Sequence, residues 1–215
     1  MDRRPMLALD HLVLATLDLD VGARWLASRL GVALDGGGAH PGWGTHNRLL
    51  ALGGDTYLEL IAPDPSQPEP ARPRPFGLDS PTLRQMLAHR PRLVHFIVRT
   101  DDIDAARHLM GHDPGDVTEM SRGALRWRIT VPGPGRVVGV GVAPTLIDWG
   151  TATPPGRSLP DRGVSLVSLE VEADADTLAC LTPLGATEPR IRTRVGDAPA
   201  LRANLQAPSG ACVLD

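Results

Sequence analysis

Four stretches of the chain are predicted to be largely apolar β-strands, each with a polar side chain of interest on one face. They cover residues 7–16, 56–63, 93–100 and 145–150, and these polar residues are, in the same order, His11, Glu59, His95 and Asp148. Side chains along a strand point alternately to its two faces, so each of these residues lies opposite a face with several apolar side chains. We therefore expect a sheet with helices packed on its apolar side and a polar site on the other.

Glu59 is the residue that most needs a polar partner. It shares a face with Tyr57 and Ile61, while Leu58 and Leu60 point the other way. An ionised carboxylate in such an apolar run is unfavourable unless another group pairs with it. The alternation therefore predicts that Glu59 faces other polar side chains.

The first strand opens a βαβββ module that is predicted to span residues 7–63. Asp18 or Asp20 caps a helix that ends at Gly31, and strands follow at residues 32–34, 48–52 and 57–61. The stretch from Gly36 to Gly44 is predicted to be a loop, because it is very rich in glycine.

The order of elements recurs along the chain. His95 precedes Asp104 by nine residues, as His11 precedes Asp20, which predicts a second βαβββ module over residues 92–150.

Ser80 and Pro81 predict a short helix before this module, because serine suits the N-cap and proline the first turn. The helix of the module is expected to end near Gly111, and a later strand is expected to start at Val137. A third, degenerate unit is predicted over residues 163–215, with proline-rich linkers at residues 63–75 and 151–162.

The repeat also predicts where chemistry lies. Glu59 and Asp148 are expected at matching places in the first two modules. The third unit has Ser168 where the histidines stood, so we interpret that unit as structural.

Composition excludes several classes of function. The net charge is −3 and the basic residues are scattered, so we expect neither a nucleic-acid partner nor a membrane surface. All 22 basic residues are arginine, which excludes a lysine Schiff base and a phosphate-binding loop that needs lysine. Cys180 and Cys212 are expected to be buried. No apolar run is long enough to cross a bilayer and none follows the N-terminus, so we expect a cytoplasmic protein.

Two imidazoles and two carboxylates that meet in one pocket suit a divalent metal ion such as Zn, Ni, Mn, Co or Fe. The ion could polarise a carbonyl group or stabilise an enediolate while Glu59 or Asp148 moves a proton. Alternatively, each histidine is a hydrogen-bonded core residue that binds no ligand.

Further residues are candidates for binding a small-molecule substrate. His46 and Asn47 directly precede a strand and could reach the pocket mouth, although a loop histidine is often merely exposed. Arg126 shares a strand face with Arg128 and could bind a substrate anion, the alternative being a solvated arginine. Trp43 could line the entrance or hold the loop in place.

The chain resembles a known family in four segments. Leu9–Val13, His40–Asn47, Tyr57–Glu59 and Leu146–Gly150 are similar to the glyoxalase-like domain family of the vicinal oxygen chelate superfamily. The resemblance extends over nearly the whole chain. It implies an α+β fold in which repeated βαβββ modules form a cupped mixed sheet around a site, with helices on the outer face.

The resemblance also implies a ligand set. In metal-dependent members of the superfamily the ligands lie on the first and last strands of each module, which would correspond here to His11, Glu59, His95 and Asp148. Asp148 departs from the usual glutamate and has a shorter reach.

These observations favour a metal-assisted lyase or isomerase that acts on a small oxygenated substrate. Two alternatives remain open. Two histidines and one carboxylate also form the facial triad of a non-haem iron dioxygenase. The second alternative is a metal-free protein that binds a small molecule, as in the drug-binding branch of the superfamily.

The third unit predicts an assembly. The first two modules can pair with each other, whereas the third has no obvious partner and would expose sheet edges and an apolar face. It could pack against the first two modules or pair with its copy in a homodimer, and the sequence favours the homodimer slightly.

Overall fold

The computed structural model of the protein describes residues 4–110, 113–123, 125–132, 141–185 and 187–215. In this part of the chain the strands form one eight-stranded and one four-stranded sheet. The predicted mixed α+β fold is confirmed. No helix among the described residues is long and apolar enough to cross a membrane.

The first module has the predicted βαβββ order, but its second strand lies at Asp35–His40 and not at residues 32–34. Its elements are β1 (Leu7–Ala15), α1 (Leu19–Leu30), β2 (Asp35–His40), β3 (Thr45–Ala51) and β4 (Tyr57–Pro63). The Asp18 carboxylate accepts a hydrogen bond from the Val21 N–H and so caps α1. Gly31 ends the helix in the left-handed conformation, with φ of 75°.

The second module repeats this order. A short helix, α2 (Pro81–Leu87), precedes it, and its elements are β5 (Arg92–Thr100), α3 (Ile103–Leu109), β6 (Asp116–Arg122), β7 (Leu125–Val131) and β8 (Thr145–Asp148). The Ser80 hydroxyl caps α2, as its sequence predicts. Gly111, where the second helix was expected to end, lies outside the described residues. So do residues 133–140, which include the start of the strand predicted from Val137.

The two modules join at their first strands. The strand order in the large sheet is β2-β3-β4-β1-β5-β8-β7-β6, and β1 pairs with β5 in antiparallel orientation. In each module the first and last strands are parallel neighbours, β1 with β4 and β5 with β8. The sheet therefore consists of two equivalent halves related across the β1–β5 pair.

The register corrects one prediction about the repeat. His11 and His95 are equivalent, and so are the residues two positions further along, Val13 and Ile97. Val13 lies beside Glu59 on β4, whereas Ile97 lies beside Thr145 on β8. Thr145 and not Asp148 therefore occupies the place of Glu59 in the second module.

The glycine stretch is a strand over Asp35–His40, so its prediction as a loop is wrong there. It pairs with β3 at the edge of the large sheet, where a weak strand former is tolerated. A Cβ atom at Gly37 would lie 2.2 Å from the Asn47 carbonyl oxygen and 2.3 Å from Asn47 Oδ1. Glycine is therefore required here by the close approach of β3, a tertiary contact that composition does not reveal.

The third unit also has the order βαβββ along the chain, but its strands are arranged differently. After α4 (Pro155–Ser158) its elements are β9 (Ser165–Ala173), α5 (Ala175–Ala179), β10 (Ile191–Val195), β11 (Ala200–Ala207) and β12 (Gly210–Leu214). The strand order is β10-β9-β11-β12, so the first strand pairs with the second and third strands and not with the last.

The third unit packs against the large sheet. Leu169, Val171 and Leu205 belong to the same apolar cluster as Leu12 and Leu58. Backbone hydrogen bonds also join the third unit to the first two modules, from Leu166 N–H to Leu52 O, from Leu93 N–H to Asp215 O and from Ser209 N–H to Leu30 O. The apolar face that motivated the homodimer prediction is thus covered within the chain. Both cysteines are buried and free, as expected, and burial raises the pKa of the Cys180 thiol to about 11.

A buried carboxylate fastens the third unit to β1. Glu188 Oε2 accepts the Leu9 N–H at 3.0 Å and an Arg190 guanidinium N–H at the same distance, while Arg190 also donates to Thr56 Oγ1. Burial by itself raises the pKa of Glu188, but the hydrogen bonds from Arg190 and Leu9 outweigh it, so the pKa is lowered overall. The residue therefore holds β1 as an ionised carboxylate.

We expect Gly37→Ala to lower the free energy of unfolding by about 1–3 kcal/mol, because the new Cβ atom would push β2 away from β3. Gly36→Ala is the matched control on the same strand, since its Cβ atom would meet nothing within 4 Å. Its effect should stay within about 0.5 kcal/mol. Urea unfolding followed by circular dichroism measures both, and equal stability of the two variants would contradict the close packing at Gly37.

Candidate functional site

A β-bulge on β1 places a carboxylate beside His11. The pairing of β1 with β5 shifts between Leu9 and His11, so Asp10 is the additional residue. Asp10 is completely buried. Its Oδ1 lies 2.6 Å from His11 Nδ1, and its Oδ2 accepts a hydrogen bond of 3.0 Å from Trp149 Nε1. The bulge thus turns two consecutive side chains towards each other, which a regular strand would separate.

The Asp10 contact determines how the His11 ring is presented. A carboxylate can only accept, so the hydrogen-bond network assigns the proton to His11 Nδ1. The Tyr57 ring stacks on the imidazole with centroids 4.5 Å apart and an angle of 19°. His11 Nε2 therefore faces Glu59, whose Oε2 lies 3.7 Å away.

Glu59 is held by Asn47 on the neighbouring strand. Asn47 Nδ2 donates to Glu59 Oε1 at 2.6 Å, while Asn47 Oδ1 accepts the Gly38 N–H at 2.9 Å. The backbone donor at Gly38 fixes the amide orientation, because it must face the oxygen. Both Glu59 and Asn47 are buried. The expectation that Glu59 faces polar groups is thus confirmed.

His40 also belongs to this network, and the sequence analysis missed it. Its Nε2 lies 3.1 Å from Asn47 Nδ2 and 3.9 Å from Glu59 Oε1, and its Nδ1 lies 2.9 Å from Thr45 Oγ1. The residue was overlooked because its segment was interpreted as a loop. A β2–β3 hairpin would have placed His40 opposite Thr45, next to the strand that carries Asn47.

His95 lines the same cleft in a different environment. Its Nε2 lies 2.8 Å from Thr145 Oγ1 and 3.2 Å from the Thr145 backbone nitrogen. The Phe76 ring lies 5.2 Å from the imidazole, centroid to centroid. Val94 is the additional residue at the second bulge of the β1–β5 pair, in the position equivalent to Asp10. His95 therefore has no carboxylate where His11 has one.

Asp148 is not brought to this pocket. Its neighbours Ile147 and Trp149 line the cleft, so the intervening side chain points to the opposite face of β8. Asp148 Oδ2 accepts a hydrogen bond of 2.6 Å from Arg128 Nη2, and its Oδ1 accepts the Gly150 N–H. The hydrogen bond to Asp148 also raises the pKa of Arg128. The expectation that all four ionisable residues converge is therefore wrong for Asp148.

Of the predicted substrate-binding residues, some line the cleft and others lie away from it. Asn47 and Trp43 line the cleft. His46 points to the other face of β3, where its Nδ1 lies 4.0 Å from Asp64 Oδ1. Arg126 is exposed on the β6–β7 hairpin and donates to the carbonyl oxygens of Gly123 and Leu125, away from the cleft.

The cleft has a volume of about 1110 Å³ and is closed on one side by the proline-rich segment. The sequence presented residues 63–75 as a linker, but residues 71–77 form part of the cleft wall. Leu78, just beyond, is fully buried beside Val13 and Ile97. Phe76 adopts φ of 57°, which is uncommon for a residue other than glycine, and this places its ring near His95.

The donor set does not fit the implied metal site. Asp148 faces the opposite side of the sheet, and Thr145, in the place equivalent to Glu59, is bonded to His95. In the part of the chain that the structure describes, no three His, Cys, Asp or Glu side chains come together as a metal-binding cluster. The arrangement therefore fits neither four-ligand coordination nor a facial triad. It presents instead a carboxylate-backed imidazole next to a second carboxylate, a pair suited to proton transfer.

Known proteins share this fold. The model of the glyoxalase-like domain family matches residues 9–182. A solved structure of a hypothetical protein from Staphylococcus aureus superposes with a TM-score of 0.62 at 13% identity, over 98% of this chain and 99% of that chain. No curated protein matches the sequence.

Methylmalonyl-CoA epimerases are also among the similar solved structures. The Streptomyces coelicolor enzyme aligns with a TM-score of 0.44 and 21% identity, over 67% of this chain and 97% of its own. The Mycobacterium tuberculosis enzyme aligns with a TM-score of 0.39 and 24% identity, over 67% and 87%. With its family-model match over most of its length and its paired βαβββ modules, the chain belongs to the glyoxalase-like domain family.

Proposed function

We propose that the protein is a lyase or isomerase that moves a proton next to a carbonyl group of a small oxygenated substrate. His11 and Glu59 are the proton-transferring residues. The observation that carries this proposal is the Asp10–His11 pair, in which a fully buried carboxylate directs the His11 Nε2 atom into the cleft. Membership of a glyoxalase-like family agrees with chemistry of this kind but does not specify it.

The Asp10 carboxylate supplies two effects to His11. It holds the imidazole in the tautomer whose Nε2 lone pair can accept a proton from the substrate. It also stabilises the imidazolium that forms when Nε2 has accepted that proton, because the positive charge then lies against a buried negative charge. Trp149 donates to the other oxygen of Asp10 and so keeps the carboxylate in this orientation.

Glu59 is the second proton-transferring group. Asn47 binds one carboxylate oxygen, and the other faces His11 at 3.7 Å from Nε2. The group that removes a proton from carbon can pass it to the other group, which then delivers it to a different position of the substrate or to a leaving oxygen. This exchange would produce an isomerisation in the first case and an elimination in the second.

A metal-free protein that only binds a small molecule is the second candidate function. It is favoured by the aromatic lining of the cleft, which surrounds the polar pair with large apolar surfaces from Trp43, Phe76, Trp127 and Trp149. In that case Glu59 and His11 would orient the ligand by hydrogen bonding. Turnover, not affinity, separates the two candidates.

Purified protein should catalyse the exchange of carbon-bound hydrogen for deuterium in small carbonyl compounds that carry a hydrogen next to the carbonyl group. Proton NMR in D₂O follows the loss of the signal across a panel of hydroxyketones, ketoaldehydes and 2-oxo acids. We expect His11→Asn and Glu59→Gln each to slow the exchange by about 10²–10⁴-fold.

His46→Asn is the matched control, because that histidine lies on the opposite face of β3. It should leave the exchange unchanged. Members of the panel that bind without exchanging would identify the protein as a binding protein and overturn the enzymatic proposal.

Asp10→Asn should alter the tautomer of His11 without unfolding the protein. In the wild type we expect the proton on Nδ1, whereas an asparagine can rotate its amide NH₂ towards Nδ1 and move the proton to Nε2. Nitrogen-15 NMR of the histidine rings measures this change, with His46 as an internal reference. A His11 ring that keeps its tautomer in the variant would show that Asp10 does not control it.

Asp148→Asn tests the metal hypothesis directly. Because Asp148 pairs with Arg128 away from the cleft, we expect the variant to retain the exchange activity and to lose only the modest stability of a partly exposed ion pair, about 1 kcal/mol or less. Chelator treatment should leave the wild-type melting temperature and the exchange unchanged. Loss of exchange in Asp148→Asn together with bound metal in the wild type would restore the four-ligand site.

A further inference from the structure

The arginines of the cleft differ in how their charge is balanced. Among the described residues, the arginines that line the cleft are Arg72, Arg74, Arg92, Arg194 and Arg202. Arg74 forms ion pairs of 2.7 Å with both Glu69 and Asp79, and Arg194 pairs with Glu172. The pKa of Asp215 is lowered by a hydrogen bond from Arg90 and also by the charges of Arg92 and Arg202, which therefore lie close to an anion.

Arg72 is the exception. Its guanidinium carbon lies 4.6 Å from the centre of the Trp43 ring, in a cation–π contact. Among the described residues, no carboxylate lies within ion-pair distance of it, although Glu69 and Asp79 belong to the same segment and pair with Arg74 instead. The cleft thus carries an uncompensated positive charge at its Trp43 side.

The backbone around Arg72 is fixed against the turn that carries Trp43. Pro70 and Pro73 flank the arginine closely and restrict the backbone. Arg74 Nε donates to the Gly44 carbonyl oxygen at 2.9 Å, and a Cβ atom at Gly44 would lie 2.9 Å from the Pro70 ring. Arg72 is therefore presented by a preorganised segment, which lowers the entropy lost when a ligand binds.

A guanidinium that stacks on an indole still exposes the N–H groups along its edge. Two parallel N–H groups match the two oxygens of a carboxylate or phosphate, which a lysine ammonium cannot do. Trp43, Arg72 and Glu59 all line this cleft.

We propose that Arg72 and Trp43 form a subsite for an oxyanion group, carboxylate or phosphate, of the molecule that reacts at His11 and Glu59. The inference depends on the proposed function for the reacting end of the substrate, whereas binding of the anion itself does not require turnover. The sequence suggested Arg126 for this task, but that residue lies on the hairpin surface. The substrate class is therefore a carbonyl compound with an anionic substituent.

Isothermal titration calorimetry at constant ionic strength tests the subsite with four anions and one neutral compound. Malonate and succinate represent carboxylates, inorganic phosphate and methyl phosphate represent phosphates, and malonamide is the uncharged control. We expect saturable binding of at least one anion class by the wild type and none of malonamide. Arg72→Gln should raise the Kd about tenfold or more, because a charge-assisted bidentate contact is lost.

Arg126→Gln is the matched control, since it removes the same charge outside the cleft. It should leave the Kd unchanged, and Arg72→Lys should fall between Arg72→Gln and the wild type because it keeps the charge but not the paired N–H groups. Absence of anion binding in the wild type, or equal weakening by Arg72→Gln and Arg126→Gln, would overturn the subsite.

The outcome separates this inference from the proposed function. His11→Asn should retain anion binding while it loses deuterium exchange, and Arg72→Gln should raise KM only for substrates with an oxyanion and leave kcat unchanged. Exchange that depends on His11 without anion binding at Arg72 would refute the subsite alone. Anion binding at Arg72 without exchange would refute the enzymatic proposal and leave the subsite in place.

Discussion

The contact between Asp10 and His11 is the constraint on which the candidate site depends. A regular strand would point these consecutive residues to opposite faces of the sheet, and the bulge on β1 brings them together. Asp10 then links the two modules, because Trp149, which follows β8 of the second module, donates to the same carboxylate. Burial of the carboxylate is tolerated because both of its oxygens are hydrogen-bonded. One local irregularity thus orients a histidine and joins two halves of the sheet.

Sheet symmetry is not accompanied by chemical symmetry. The two modules share strand order and register, but their equivalent positions carry different side chains. Asp10 and Glu59 of the first module correspond to Val94 and Thr145 of the second. His11 consequently lies between two carboxylates, whereas His95 lies against a hydroxyl group and an aromatic ring. The first module supplies the carboxylates beside the histidine, and the second supplies a histidine without a carboxylate at the equivalent positions. This division of roles explains why a symmetrical four-ligand site is absent among the described residues.

The third unit and the proline-rich segment, which lie outside the two paired modules, complete the architecture. The third unit covers the apolar side of the large sheet and binds β1 through Glu188, one residue away from the bulge. On the other side, the proline-rich segment closes the cleft and brings Phe76 and Arg72 to it. The prolines restrict the backbone of this segment, so the charged side chain of Arg72 is held at a fixed place in the cleft wall. The large sheet is therefore covered by the third unit on one face and bordered by the proline-rich segment at the cleft on the other.

The sequence by itself determined the βαβββ modules, their repetition, and the helix caps at Asp18 and Ser80, because these depend on local periodicity and on hydrogen bonds within a few residues. It also pointed to His11 and Glu59, because a polar residue inside an apolar strand is conspicuous, and to Asn47, because it directly precedes a strand. The structure places these three side chains next to one another. Only the tertiary structure decided which carboxylates serve the site. Asp10 was hidden because a bulge reverses the face expected from alternation, and Asp148 was misplaced because strand register depends on pairing between distant segments. His40 was missed for the same reason, because its glycine-rich strand exists only through pairing with β3.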